Sequence, residues 1–145
     1  MNRYFYATAV CLPLSRSGKS GAILLCGPSG CGKSDLALRL IKKAGARLIS
    51  DDQVILTRDK ERLSAHPAPN ISGKLEVRGL GIVDFPATGN IPVFLVIDLA
   101  TPNTERLPDP QTILINEVAI PRVALDPFET SIIEKVQTAV QMHED

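Results

Sequence analysis

Eight residues constrain this chain more than any others: Gly27-Pro28-Ser29-Gly30-Cys31-Gly32-Lys33-Ser34, which fit the pattern G-x-x-x-x-G-K-[ST]. At ordinary residue usage a chain of this length meets the pattern by chance roughly once in two hundred. The flanks sharpen it. Ala22–Cys26 is apolar without alternation, which predicts a central strand buried on both faces, as when helices cover both sides of a sheet. From Lys33 the period becomes helical, with Leu36, Ala37, Leu40 and Ile41 on one stripe, Asp35 in the first turn, Lys42 and Lys43 in the last, and Gly45 as the stop. The eight residues thus form the loop of a strand–loop–helix unit. Glycines at 27, 30 and 32 allow positive φ and let backbone N–H groups converge on phosphate oxygens at the positive end of the helix dipole. Lys33 would neutralise β- and γ-phosphates and Ser34 would hold Mg²⁺ through its hydroxyl. Cys31 occupies a variable position, although a thiol at a helix N-terminus is open to oxidation.

The next residues of interest follow from distances along the chain. A helix over Lys33–Lys43 carries the backbone about 16 Å away. The extended residues Ala46–Ser50 return about the same distance. Asp51 and Asp52 therefore come back to the phosphate edge, at the carboxyl end of a strand, where ligands of open α/β sheets sit. One carboxylate can serve a metal or its water shell, and the other can accept a proton from an incoming hydroxyl. The plain alternative is an Asp-Asp turn closing a strand. A third segment, Leu75-Glu76-Val77-Arg78-Gly79-Leu80-Gly81-Ile82-Val83-Asp84, sets a carboxylate and a guanidinium two residues apart beside a Gly-x-Gly. Glu76 could serve Mg²⁺ and Arg78 a phosphoryl group. A salt-bridged strand end with a glycine turn accounts for it equally well.

Length and composition set the frame. The 145 residues fit one domain, residues 1–145. Its longest stretches without a charged residue, Ser20–Gly32 and Phe85–Ile97, are thirteen residues each, short of the ~20 a membrane-spanning helix needs. The net charge of zero divides into +6 over residues 1–72 and −6 over residues 73–145, which argues against a uniformly basic nucleic-acid surface. Either the basic half serves one local anion site or the two halves neutralise each other in the fold. Cys11, Cys26 and Cys31 form no Cys-x-x-Cys and have no clustered His, which fits a reduced cytoplasmic protein. Arg3 and the apolar run Tyr4–Leu14 only faintly resemble an export signal, because two tyrosines and Pro13 interrupt the run and no cleavage box follows.

Other elements expected are a strand at Tyr4–Leu12 forming a hairpin with Ala22–Cys26, strands at Ala46–Ser50 and Val54–Thr57, and a turn at Arg58–Arg62. A Pro-punctuated stretch follows at His66–Asn70, then a strand at Val93–Leu99, a loop at Thr101–Pro110, and short strands at Thr112–Ile115 and Val118–Val123. Asp126 as N-cap, Pro127 and Glu129 predict a closing helix with Phe128, Ile132, Ile133, Val136 and Val140 as its apolar stripe. His66 and His143 are expected to be merely solvated.

Three blocks, GPSGCGKSDLALRLI at 27–41, GARLISDDQVIL at 45–56 and LEVRGLGIVDF at 75–85, resemble in order and spacing the catalytic domain of bacterial HPr kinase/phosphorylase, in its short form. The E-x-R-G-L-G-I block after an acidic pair is the discriminating one. The resemblance implies an α/β fold: a P-loop nucleotide-binding fold with a mixed sheet, like the nucleotide-binding part of phosphoenolpyruvate carboxykinase, usually assembled as a hexamer. It implies an ATP- and Mg²⁺-dependent kinase acting on a seryl side chain of HPr, the carrier protein of the sugar phosphotransferase system. The reverse reaction uses inorganic phosphate and releases pyrophosphate. By resemblance Lys33 is the loop lysine, Ser34 and Glu76 are Mg²⁺ ligands, Asp51 is the general base, and residues 75–84 serve both directions. In two places the sequence departs from the family. Where the family has a catalytic histidine, in a context like His-Ala-Thr-Ala-Val, this chain has Tyr6-Ala7-Thr8-Ala9-Val10, and a phenol cannot replace an imidazole near neutral pH. The family's basic, Gly-containing loop with an active-site arginine has no clear counterpart, and Ile120-Pro121-Arg122 is the only candidate, so Arg122 is carried over there. Two other functions remain open: a P-loop kinase with a different acceptor, and a nucleotide-sensing module whose chemistry went with the histidine.

Overall fold

Consecutive apolar residues of the strand before the glycine-rich loop go to two different cores. Ile23 and Leu25 pack on one face of the sheet with helical residues, and Ala22 and Leu24 pack on the other with residues from strands and Ala7. A computed structural model describes residues 2–100 and 105–144. In chain order the elements are β1 (Asn2–Phe5), β2 (Thr8–Pro13), β3 (Ser20–Cys26), α1 (Lys33–Ala44), β4 (Arg47–Ser50), β5 (Val54–Asp59), β6 (Arg62–Pro67), β7 (Lys74–Val77), β8 (Gly81–Asp84), β9 (Ile91–Asp98), β10 (Gln111–Ile115), β11 (Val118–Ala124) and α2 (Ile132–Met142).

The main sheet runs β1-β5-β6-β9-β3-β2-β4, and β11 joins β9 and carries β10 at its outer edge. It forks at β9, whose first residues pair with β6 (Ala65 with Ile91) and whose last pair with β11 (Ala124 with Asp98). β2 is antiparallel to both of its neighbours, β3 and β4, while β9 is parallel to β3 and β11 parallel to β9. The carboxyl ends of β4, β3, β9 and β11 therefore share one edge. That edge carries the loop after β3 and the acidic pair after β4. The β7–β8 hairpin forms a separate two-stranded sheet.

One face of the main sheet is covered by α1 through Leu36, Ala37 and Leu40 and by α2 through Ile132, Ile133, Val136, Ala139 and Val140. Among the described residues the other face has no helix: Val54, Leu56, Leu63, Ala65, Ile115 and Ile120 come from outer strands of the curled sheet itself. β3 is buried on both sides as its composition demands, but helices cover only one of them. A strand registers burial and not the kind of element that buries it, which is why the expectation of helices on both faces fails.

The mixed α/β architecture is the one expected, with α1 ending at Gly45 in the left-handed conformation, where its N–H bonds the Leu40 carbonyl. Three local expectations are corrected. The strand expected at Tyr4–Leu12 is broken at Tyr6 and Ala7, because β1 pairs with β5 while β2 lies between β3 and β4. Two segments of similar β-propensity changing partners look like one strand in sequence. The Pro-punctuated stretch begins inside β6, where His66 Nε2 lies 2.9 Å from Thr57 Oγ1, and His143 Nδ1 lies 2.7 Å from the Ala139 carbonyl, so neither histidine is merely solvated. The closing helix starts at Ile132 and not after Asp126. The Asp126 carboxylate accepts the Phe128 N–H at 2.9 Å in an Asx-type turn, and this local alternative wins over helix nucleation until Ser131. Phe128 consequently leaves the apolar stripe and is 75% exposed. Residues 101–104 of the expected loop lie outside the described residues.

Candidate active site

The loop after β3 owes its shape to its glycines. Gly27 has φ 155° and a methyl group there would sit 2.5 Å from Cys31 Sγ, while Gly32 at φ 102° caps α1 in a left-handed conformation. The turn is closed by the Cys31 N–H, which donates to the Pro28 carbonyl at 3.1 Å. Lys33 is buried and folds back so that Nζ donates to the Gly27 carbonyl at 2.5 Å. The N-cap of α1, Gly32, has no side chain to offer, so its first-turn backbone donors get no cap from that residue and can serve another acceptor. Pro28, Ser29 and Gly30 form the exposed rim.

Asp51 is the polar centre. It is 8% exposed and three donors converge on its carboxylate: Thr8 Oγ1 at 2.9 Å and Ser34 Oγ at 2.7 Å on Oδ1, and the Glu76 backbone N–H at 3.1 Å on Oδ2. A side chain from β2, one from α1 and a backbone donor from β7 thus fix one carboxylate against the loop. The Thr8 hydroxyl in turn accepts the Asp52 N–H at 3.2 Å, which holds Asp52 at φ 65°. Its side chain is 74% exposed and lies 3.9 Å from Lys33 Nζ. Both aspartates thus lie beside the loop, where the lengths of the helix and of the returning strand bring them.

The remaining expected residues divide. Glu76 reaches the cluster through its backbone, with an exposed side chain, and Arg78 is exposed in the turn of the β7–β8 hairpin, closed by the Leu80 N–H on the Val77 carbonyl at 2.9 Å. Arg122 lies at the same sheet edge, on the opposite side of β3 from Asp51. Its guanidinium pairs with Asp98 Oδ2 and donates to Gln111 Oε1 at 2.6 Å. Residues without a role in the sequence reading are Thr8 and Asp98. Thr8 left no signal beyond its place in the segment aligned with the family histidine. Asp98 did leave one: an apolar strand ending in Asp, parallel to β3 and next to it. Cys26 is also at this edge, and burial, reinforced by Asp98, pushes its thiol up to about 12, with Lys33 and Arg122 opposing. It stays neutral and is no nucleophile.

The described residues contain no cluster of three His, Cys, Asp or Glu side chains that would make a preformed metal cage. They also contain no helix long and apolar enough to cross a membrane.

A family model described as the HPr Serine kinase C-terminal domain matches residues 18–136. The HPr kinase/phosphorylase of Clostridium acetobutylicum is 52% identical over 66 residues, which cover 45% of this chain and 21% of that protein. The HPr kinase/phosphorylase of Clostridium tetani is 49% identical over 65 residues, again 45% of this chain and 21% of the relative. The matched part thus spans about a fifth of the length of these curated relatives. Among solved structures, the Hpr(Ser) kinase/phosphatase from Coxiella burnetii has a TM-score of 0.80 at 23% identity, covering 97% of this chain and 90% of that one, which is a likeness of fold. By the match over residues 18–136, the chain belongs to the family of HPr serine kinase C-terminal domains.

Proposed function

We propose that this protein is an ATP- and Mg²⁺-dependent kinase that phosphorylates a seryl side chain of an HPr-type phosphocarrier, in the cytoplasm. One observation carries the proposal: the buried Asp51 carboxylate meets the hydroxyl of the loop serine, Ser34, at 2.7 Å, while the loop lysine lies 3.9 Å from Asp52. Phosphate-binding and proton-accepting groups thus share one edge.

The residues fit a magnesium–phosphate ligand. Mg²⁺ takes hard oxygen donors, usually one or two carboxylates or hydroxyls with the rest supplied by water and phosphate, so it needs no protein cage. Ser34 and Asp52 offer such oxygens at the loop, and Glu76 offers a third from the hairpin. Bound there, Mg²⁺ would neutralise charge on the phosphates. In the transfer, the serine oxygen bonds to the γ-phosphorus as the bond to the bridging oxygen breaks, ADP leaves, and the serine proton passes to Asp51. Lys33 and the N–H groups of the first turn of α1 stabilise charge on the phosphoryl oxygens. Arg78, exposed in the turn of the β7–β8 hairpin, would supply further positive charge, and Arg122 would do so on exchanging its Asp98 partner for a phosphoryl oxygen. Thr8 and Ser34 orient Asp51, and Tyr6 stands where the family has its histidine. In reverse, an oxygen of inorganic phosphate bonds to the phosphoserine phosphorus as the bond to the serine oxygen breaks, Asp51 passes a proton from that phosphate to the serine oxygen, and the pyrophosphate formed is released.

The test is incubation with ATP, Mg²⁺ and HPr, followed by mass spectrometry for phosphoserine. Transfer to HPr supports the proposal. ATP turnover only with another hydroxyl acceptor would reassign the substrate, and nucleotide binding without turnover would make the chain a sensor. Recovery of transfer by Tyr6→His in that last case would trace the loss to the missing histidine.

A further inference from the structure

Phe128 is exposed, yet it is not adrift. Its backbone N–H is held by Asp126 Oδ1 at 2.9 Å, the Leu125 N–H donates to the Asp98 carbonyl at 3.0 Å, and Pro127 is buried against the glycine-rich loop. A methyl group at Gly32 would lie 3.5 Å from Pro127 Cβ and Cγ and 3.6 Å from Phe128 Cζ. The turn thus fixes the tip of an aromatic ring over the side of the last loop glycine that lacks a side chain and leaves the residue 75% exposed. An apolar ring in a pinned turn beside a polar site is poorly explained by folding, since it buries little.

The sheet order says which part of a nucleotide would meet it. Asp51 follows β4, which is two strands from β3 on one side, and the turn 125–128 follows β11, two strands from β3 on the other. Strand spacing puts each about 10 Å from the loop strand along the shared edge. A nucleoside triphosphate held by its phosphates in the loop has two ends. The reacting γ end belongs with the proton acceptor on the β4 side, so the nucleoside end runs toward β11. We infer that Phe128 is a nucleobase platform: the base of the nucleotide stacks on its exposed face. This rests on the proposal that the loop binds ATP, and it adds the site for the part of the ligand that the loop does not hold. Stacking needs only a π-face, so the site accepts adenine and guanine alike.

The chain has no tryptophan, so Phe128→Trp introduces a single tryptophan, excited apart from Tyr4 and Tyr6 at the red edge, at the site. ATP and GTP are expected to quench it, and inorganic tripolyphosphate, which has the phosphates without a base, is expected to bind without quenching. Phe128→Ala is expected to raise the Kd for ATP about tenfold, within the range for loss of one base–aromatic stack. The same variant should leave the Kd for tripolyphosphate within about twofold and the unfolding midpoint unchanged. Phe128→Tyr should restore ATP affinity. If wild-type protein binds neither ATP nor tripolyphosphate, the nucleotide proposal fails and this inference with it. If ATP binds and Phe128→Ala leaves its Kd intact, only the base platform is overturned. A variant that weakens HPr turnover without touching ATP affinity would make Phe128 a docking residue for the acceptor and would equally overturn the inference.

Discussion

Thr8→Val isolates one strut of the site. The substitution keeps the shape of a fully buried side chain and removes the hydroxyl, which donates to Asp51 Oδ1 at 2.9 Å and accepts the Asp52 N–H at 3.2 Å. Loss of a buried hydrogen bond to an ionised group costs about 1.5–3 kcal/mol. The Asp52 amide belongs to an exposed residue and can turn to water, so it adds little. Ser34 Oγ and the Glu76 N–H stay on the Asp51 carboxylate, so its charge is not orphaned. The expected net loss is about 2 kcal/mol, or about 4–8 °C in melting temperature for a chain of this size. Differential scanning calorimetry of wild type, Thr8→Val and Thr8→Ser measures it, with the serine variant retaining more than half of the difference. Kinetics should show kcat down about tenfold with KM for ATP unchanged, because the hydroxyl orients the base and does not touch the nucleotide. A Thr8→Val protein within about 0.5 kcal/mol of wild type and equally active would refute the claim that this bond orients Asp51.

Further expectations follow from neighbouring geometry. Gly27→Ala, at φ 155° with Cys31 Sγ 2.5 Å from the new methyl, should distort the loop and lower ATP affinity more than tenfold by titration calorimetry, while Gly18→Ala, distant from the site and with open space around it, should leave affinity unchanged. Leu36→Ala should cost about 2–5 kcal/mol in a denaturant titration, as the side chain is fully buried between α1 and the sheet. With its thiol pushed up to about 12, Cys26 stays neutral at pH 8, and peptide mapping should find it alkylated far more slowly than an ordinary exposed thiol. The sign of the linked stability is fixed by the same shift. Because the folded-state value is raised, the contribution of the neutral thiol is whole below the unfolded-state value and is lost as pH climbs toward 12, so Cys26→Ala should flatten the alkaline limb of the stability profile.

What the sequence made legible was what distance and period control. The loop, α1 with its glycine stop, and the return of Asp51 and Asp52 to the loop all follow from rise per residue. What it hid depends on partners distant along the chain. Nothing local says that the strand of Tyr4–Leu12 must break at Tyr6 and Ala7, because the break serves pairing with β5 at one end and with β3 and β4 at the other. The helix-start signals at Asp126 and Pro127 were real, but Asp126 spends them on an Asx turn that pins Phe128 beside Gly32. Thr8 escaped notice because a buried threonine in a strand is ordinary until the residue 43 positions away that accepts its proton is known. The +6/−6 charge division has a partial structural meaning. The basic half holds Lys33 and the loop, and the acidic half brings Asp98 to Arg122 within itself.

The central claim is that Asp51 takes the proton of an acceptor serine while the loop holds the nucleotide. Comparing Asp51→Asn with wild type tests it most directly, by phosphoserine formed on HPr from ATP and Mg²⁺ alongside ATP affinity by calorimetry. The expected result is a fall in kcat of at least 10²-fold, the scale of a lost general base, with ATP affinity within about threefold. Transfer by the Asp51→Asn protein at the wild-type rate would contradict the account.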